Sequence, residues 1–284
     1  PMALSTGFSG YYANVGNMRN QGIEIQLGLT PVRTQDLEWN VTLMGNTVSN
    51  KVLKLTTQSP ELISGVYSTK VGNPINTFYM AKTAGVDPAT GAQLYYAYES
   101  MNDDGSVNGE YITDDYSVAA NHKYYMGSRI PDLFGSVGTD LTWKGLSLSV
   151  LTTYSIGGKI YDGLYATAMD YNYYSQTWNQ AALQKPGDVT DVPRIEIAGT
   201  NITNGRYLIN ASYFAIKNIT LSYSLPKALV SKARLQGVRV FGSFDNVALW
   251  SHLNGMDPQY NFSGSTDFSY TPNKTLQVGF ELNF

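Results

Sequence analysis

The sequence predicts an all-β chain, specifically a transmembrane antiparallel β-barrel, on three observations. Apolar and polar residues alternate one by one over stretches of roughly ten residues, the period of a strand with two unlike faces. These stretches are joined in turn by very short and very long connections. No window approaches 18 consecutive apolar residues, so no transmembrane helix is predicted; a barrel strand needs only the alternation.

Composition is consistent with this. The 284 residues are 14% charged and 13% aromatic, with 22 Tyr, the reverse of a disordered chain. A formal net charge of −3 gives no basic footprint for nucleic acid. The absence of cysteine removes both a disulfide framework and a thiolate metal site.

The strands follow in order. In the first, about 22–31, Ile23, Ile25, Leu27 and Leu29 alternate with Glu24, Gln26, Gly28 and Thr30. The second, about 37–48, sets Leu37, Trp39, Val41 and Leu43 against Glu38, Asn40, Thr42 and Met44. The third and fourth, about 133–143 and 146–156, form a hairpin about Lys144-Gly145. Val137, Thr139, Leu141 and Trp143 share a face with Leu146, Leu148, Val150, Thr152, Tyr154 and Ile156. The fifth, about 213–225, carries Ile219, Leu221, Tyr223 and Leu225. The sixth, about 237–246, carries Val238, Val240 and Phe244, with Phe241 interrupting its polar face. The seventh, about 274–284, places Leu276, Val278, Phe280, Leu282 and Phe284 on one face and Gln277, Gly279, Glu281 and Asn283 on the other. Removing that apolar face from water contributes on the order of 10 kcal/mol.

Short connections join strands one to two, three to four and five to six; residues 49–132, 157–212 and 247–273 form the long ones. Compact soluble domains rarely contain such loops, whereas transmembrane barrels pair short periplasmic turns with long extracellular loops. By parity the seventh strand runs inward. Seven strands alone leave edges that lipid cannot satisfy, so the expectation is a fragment, 1–284 being one part of a larger barrel whose other strands precede Pro1. The competing architecture is a soluble β-sandwich, with each apolar face on a second sheet.

Several stretches, in order along the chain, resemble one family. These are "NVGNMRNQGIEIQL", "LEWNVTLMGNTVSNKV", "GVDPATGAQLYY", "MGSRIPDLFGSV", "YFAIKNITLSYSLP" and "VRVFGSFDNVALWS…NGMDP", followed by the terminal aromatic strand. Together they resemble the C-terminal part of SusC/RagA-type TonB-dependent outer-membrane transporters of Bacteroidota. The resemblance implies a 22-strand barrel, with a plug domain and energy-coupling box upstream of Pro1. It implies a SusD-like lipoprotein lid, drive from the TonB–ExbB–ExbD complex, and import of oligosaccharides or, in some members, peptides. It also implies that Phe284, with Phe280 and Leu282, is the signal read by the barrel-assembly machinery. A passive porin-like channel and, from another class, a soluble carbohydrate-binding β-domain are the alternatives.

Two segments carry candidate sites. "YDGLYATAMDYNYYSQTWNQ" (161–180) interleaves rings with amides and carboxylates, so Tyr165, Tyr171, Tyr173, Tyr174 and Trp178 are candidate substrate contacts, flat faces with polar tips that suit sugars. Packing of the loop or of a lid interface uses the same residues. "DGSVNGEYITDD" places Asp104, Ser106, Asn108, Glu110 and Asp115 near the spacing of a calcium loop, against the plainer reading of a polar turn; a structural Ca²⁺ is thus the only metal the sequence suggests. Trp39, Trp143 and Tyr223 lie near strand ends, as an aromatic girdle requires. Nothing points to covalent chemistry: His122 and His252 stand alone, and there is no H-E-x-x-H, G-x-S-x-G or phosphate loop.

Overall fold

The computed structural model describes residues 7, 14, 16–169, 187, 189–194, 203–252, 256–259, 264–266 and 270–284. All seven predicted strands are present, and they form one antiparallel sheet. In chain order they are β1 (Gly16–Arg33), β2 (Leu37–Leu55), β11 (Leu133–Trp143), β12 (Leu146–Ile156), β15 (Tyr213–Ser224), β16 (Gly237–Ser251) and β17 (Thr275–Asn283). The sheet order β1-β2-β11-β12-β15-β16-β17 is a simple up-and-down meander.

Each short connection has a local cause. Lys144 and Gly145 both take positive φ, 48° and 87°, the pair a two-residue primed hairpin turn requires. The turn after β1 is closed by Thr34, whose N–H donates to Leu37 O at 2.7 Å. Pro226 begins a single helical turn, α3 (Lys227–Val230), and the chain then reverses at Arg234 with φ 58°.

Residues 49–132, expected as a loop, extend β2 and then build a second sheet. Its strands are β3 (Glu61–Ser64), β4 (Tyr67–Lys70), β5 (Thr77–Val86), β6 (Gln93–Ala97), β9 (Tyr111–Thr113) and β10 (Lys123–Tyr125), paired in the order β3-β4-β5-β6-β9, with β10 also on β5. A small hairpin, β7 (Ser100–Met101) with β8 (Val107–Asn108), and the helix α1 (Tyr116–Asn121) complete it. From 157–212 come β13 (Lys159–Tyr161), β14 (Leu208–Asn210) and the helix α2 (Gly163–Ala168).

The location of the core separates the barrel from the sandwich. The clustered buried side chains, Phe78, Met80, Tyr161, Ala166 and Tyr207 in one group and Ala81, Tyr95 and Ala119 in another, all belong to the long connections. Among the described residues nothing comparable lies under the seven-stranded sheet. Its large apolar side chains stand exposed, Leu276 at 73%, Val278 at 78% and Phe280 at 72%. A soluble sandwich would have buried that face first.

Candidate functional site

Register assigns each side chain to a face, because directly paired residues of an antiparallel sheet point the same way. One row runs Leu29–Val41–Thr139–Val150–Ile219–Phe244–Leu276 across all seven strands. The rows two residues away on either side are likewise dominated by Leu, Val, Ile, Trp, Tyr and Phe. On β12 this face runs from Leu146 to Ile156; at about 3.3 Å per residue and a tilt of about 40°, that spans about 25 Å of height, the thickness of a barrel's lipid-facing band.

Two of the large polar-tipped side chains on this face bond within it or to the backbone. Trp39 Nε1 donates to Thr139 Oγ1 at 2.8 Å. Tyr154 Oη donates to Met44 O at 2.9 Å, its ring lying over Gly45 and Gly135, which face each other across β2 and β11. A Cβ on Gly135 would stand 1.9 Å from Met44 O. Trp39, Trp143 and Tyr223 lie close to the short-turn ends of their strands, and the Phe214–Trp250 pair, with ring centroids 5.8 Å apart, lies toward the other end.

The opposite face carries a hydrogen-bonded polar network. Asn218 Nδ2 donates to Ser243 Oγ at 2.8 Å and Asp245 Oδ1 at 2.6 Å, and Thr220 Oγ1 donates to Asn218 Oδ1 at 2.9 Å. Gln277 reaches Asp245 Oδ2 at 3.5 Å, and Arg239 donates to Ser222 Oγ at 3.1 Å with Glu281 4.0 Å away. Phe241, the apparent exception, has a reason: its ring covers Gly279, where a Cβ would meet the ring at 2.6 Å.

Above the sheet the module is rich in tyrosine. Lys82 Nζ sits 4.2 Å from the Tyr96 centroid and 5.0 Å from that of Tyr124, and 3.3 Å from Glu110 Oε2. Tyr124 Oη donates to the same carboxylate at 3.0 Å; burial first, then this carboxylate, raises the phenol's pKa. Tyr79 stacks on Tyr125 at 4.7 Å, and burial, with Tyr98 and Glu61 nearby, pushes its pKa up to about 12.

Of the predicted substrate contacts, Tyr171, Tyr173, Tyr174 and Trp178 lie outside the described residues. Tyr165 is on α2, its ring 5.7 Å from that of buried Tyr207. The helix is set by Asp162, which accepts from Tyr165 N–H at 2.9 Å and from Thr266 Oγ1 at 3.0 Å.

The structure does not gather the predicted calcium ligands. Asp104 accepts from the Ser106 N–H and hydroxyl at 2.9 and 2.6 Å, bonds that lower its pKa. Asn108 is in β8, Glu110 holds Lys82, and Asp115 caps α1 by accepting from Ser117 N–H at 2.7 Å. Short strands over 107–108 and 111–113 separate these groups, and among the described residues no three His, Cys, Asp or Glu form a group able to hold a metal. The spacing is that of a hairpin turn followed by a helix cap. For the assembly signal, Phe280 and Leu282 are on the apolar face of β17, paired with Val240 and Val238, and Phe284, just beyond the strand, is 81% exposed.

One feature had no sequence signal. Between the upper ends of β15 and β16 and residues 256–259 and 271–274 is a cavity of about 230 Å³, with Lys217, Lys274, Asp257 and Gln259 among its lining. Its wall includes a register irregularity between Ile216 and Asn218 and Asn246 at φ 52°.

No protein-family model matches the chain. The TonB-dependent receptors P3 and P26 of Formosa agariphila are 24% and 27% identical to it, over 100% and 98% of the chain and 30% of each receptor. The TonB-dependent receptor SusC of Bacteroides thetaiotaomicron is 22% identical over 95% of the chain and 27% of its own length. The structure of the RagAB peptide transporter superposes with a TM-score of 0.85 at 26% identity, covering 100% of this chain and 31% of that one. The open-open state of the RagAB peptide importer gives 0.81. The chain therefore spans about 30% of the length of the curated relatives it matches. The two-faced meander, its uncovered apolar side and these likenesses agree: over its whole length the chain is similar to the β-barrel part of TonB-dependent receptors of the SusC and RagA kind.

Proposed function

We propose that the chain forms part of a transporter in the bacterial outer membrane that imports an oligosaccharide by a TonB-dependent mechanism. In this reading the apolar face meets lipid and the polar face lines the path. The long connections stand outside the cell, where a SusD-like lipoprotein covers them. A region outside this chain contacts TonB–ExbB–ExbD, and the barrel-assembly machinery reads Phe284 together with Phe280 and Leu282. The observation that carries the reading is the single sheet with a bare apolar face and a hydrogen-bonded polar one. Weak, repeated polar contacts suit a moving oligomer better than one tight pocket does. The tyrosines of the long connections, Tyr165 among them, offer flat faces with polar tips for a glycan.

Likeness to the RagAB peptide transporter favours a second substrate class, oligopeptides, handled by the same mechanism. Uptake by cells carrying the intact transporter decides between them. Labelled oligosaccharides and labelled oligopeptides of matched size are supplied to cells with and without the transporter gene, and with and without TonB. The proposal expects oligosaccharide uptake that requires both. Uptake that persists without TonB would indicate a passive channel, and transporter-dependent uptake of peptides alone would replace the glycan reading.

A further inference from the structure

We propose that Arg19 and Lys51 form a binding site for the phosphate of an anionic lipid in the leaflet at the long-connection end of the barrel. The inference rests on the reading above that the sheet's apolar face meets lipid.

Arg19 and Lys51 are directly opposite each other across β1 and β2. Their face is fixed by their neighbours. Asn50 donates through Nδ2 to Asn20 Oδ1 and Met18 Sδ, and its Oδ1 accepts from Ile75 N–H at 2.7 Å. Asn50 and Val52 are buried on that side. Met18, Asn20, Asn50 and Val52 thus face the module, and Arg19 and Lys51 face away from it, on the side of Ile23, Ile25 and Leu27. Both cations are exposed. Among the described residues neither takes part in an ion pair, the recorded pairs being those of Arg33, Lys82, Lys144 and Arg239.

Two like charges directly opposite in a sheet, with Cβ atoms about 5 Å apart, repel each other. A dianionic group between them reverses the sign of that interaction. The Arg fork and the Lys point charge together suit a phosphate. Position selects a lipid over free phosphate. Moving down the same face, the pair is followed by Gln21–Ser49 and then Ile23–Thr47, where the apolar band begins. Arg19 is four residues beyond Ile23, which at about 3.3 Å per residue and a tilt of about 40° is about 10 Å above the band. That is headgroup depth, where each basic residue adds attraction to anionic lipid.

The test uses the intact transporter purified from outer membranes and native mass spectrometry with two probes, phosphorylated lipid A and the same lipid enzymatically dephosphorylated. The wild type should retain phosphorylated lipid A, and the double variant R19Q/K51Q should retain it about tenfold less. The variant K227Q/K232Q, at the short-turn rim, should match the wild type. Inorganic phosphate at millimolar concentration should not displace the lipid. Equal retention by R19Q/K51Q and wild type would overturn the proposal, as would equal binding of dephosphorylated lipid or displacement by inorganic phosphate. Failure of the underlying membrane reading looks different: the protein would not fractionate with the outer membrane at all.

Discussion

Consider arginine placed at each of two consecutive positions of β12. Val150 lies in the middle of the apolar row, paired with Thr139 and Ile219; Ser149, its neighbour, lies on the polar face, paired with Asp140 and Thr220. If the apolar face meets lipid, Val150→Arg puts a charge near the bilayer midplane, at a cost of about 2–4 kcal/mol. At about 1.4 kcal/mol per tenfold, that lowers the folded-to-unfolded ratio by roughly 30- to 1,000-fold. Ser149→Arg keeps the guanidinium on the polar side, beside the Asp140 carboxylate, at a cost within about 0.5 kcal/mol. The assay is the outer-membrane abundance of the complete transporter, with heat-modifiable migration as the measure of a folded barrel. Val150→Arg should deplete the folded band and Ser149→Arg should leave it. Equal effects of the two substitutions would refute the assignment of faces, since only one residue of register separates them.

Other outcomes follow from individual contacts. Gly135→Ala should block assembly, because its Cβ would stand 1.9 Å from Met44 O, whereas Gly138→Ala, with nothing nearer than 3.9 Å, should assemble normally. Asp162→Ala removes the cap of α2 and the bond to Thr266, a loss of about 1–2 kcal/mol, and should open chymotryptic cleavage after Tyr165 without affecting barrel migration. Alkaline titration has a definite sign. Tyr79 ionises at about 10 when unfolded and at about 12 when folded, so the unfolded chain binds fewer protons between those values and the module loses stability as pH rises from 10 to 12. Phenolate absorbance of the folded protein should lag behind that of the unfolded protein across this window.

The sequence revealed the sheet more fully than the site, for reasons visible in particular residues. The apolar band imprints a period of two, so the β11–β12 hairpin agrees with its predicted bounds at both ends. Strands were underestimated where they leave the band. β1 begins at Gly16 and β2 continues to Leu55; above Ile23, β1 is mostly polar or Gly, and beyond Thr47 apolar and polar residues of β2 no longer alternate strictly. β16 runs on to Ser251 past Asn246, whose positive φ interrupts the pattern. The second sheet was not legible. Its strands are mostly two to five residues long, and its core is made of tyrosines and small residues such as Tyr95, Ala81 and Ala119, which alternate too briefly to register. Calcium-loop spacing describes sequence distance only, and the hairpin of β7 and β8 and the cap of α1 give Asp104 and Asp115 separate local partners.

The central claim, one sheet face to lipid and the other to water, is tested most directly by single cysteines. The sequence contains none of its own. Substituted one at a time from Leu146 to Ile156 in the membrane-embedded transporter, they would be reacted with a membrane-impermeant maleimide in permeabilised cells. The account predicts labelling that alternates, strong at Ser147, Ser149 and Leu151 and weak at Leu146, Leu148, Val150 and Thr152, while Ser155 and the Thr153 hydroxyl are buried and label weakly whichever face they are on. Uniform labelling along β12, or alternation of the opposite parity, would contradict it.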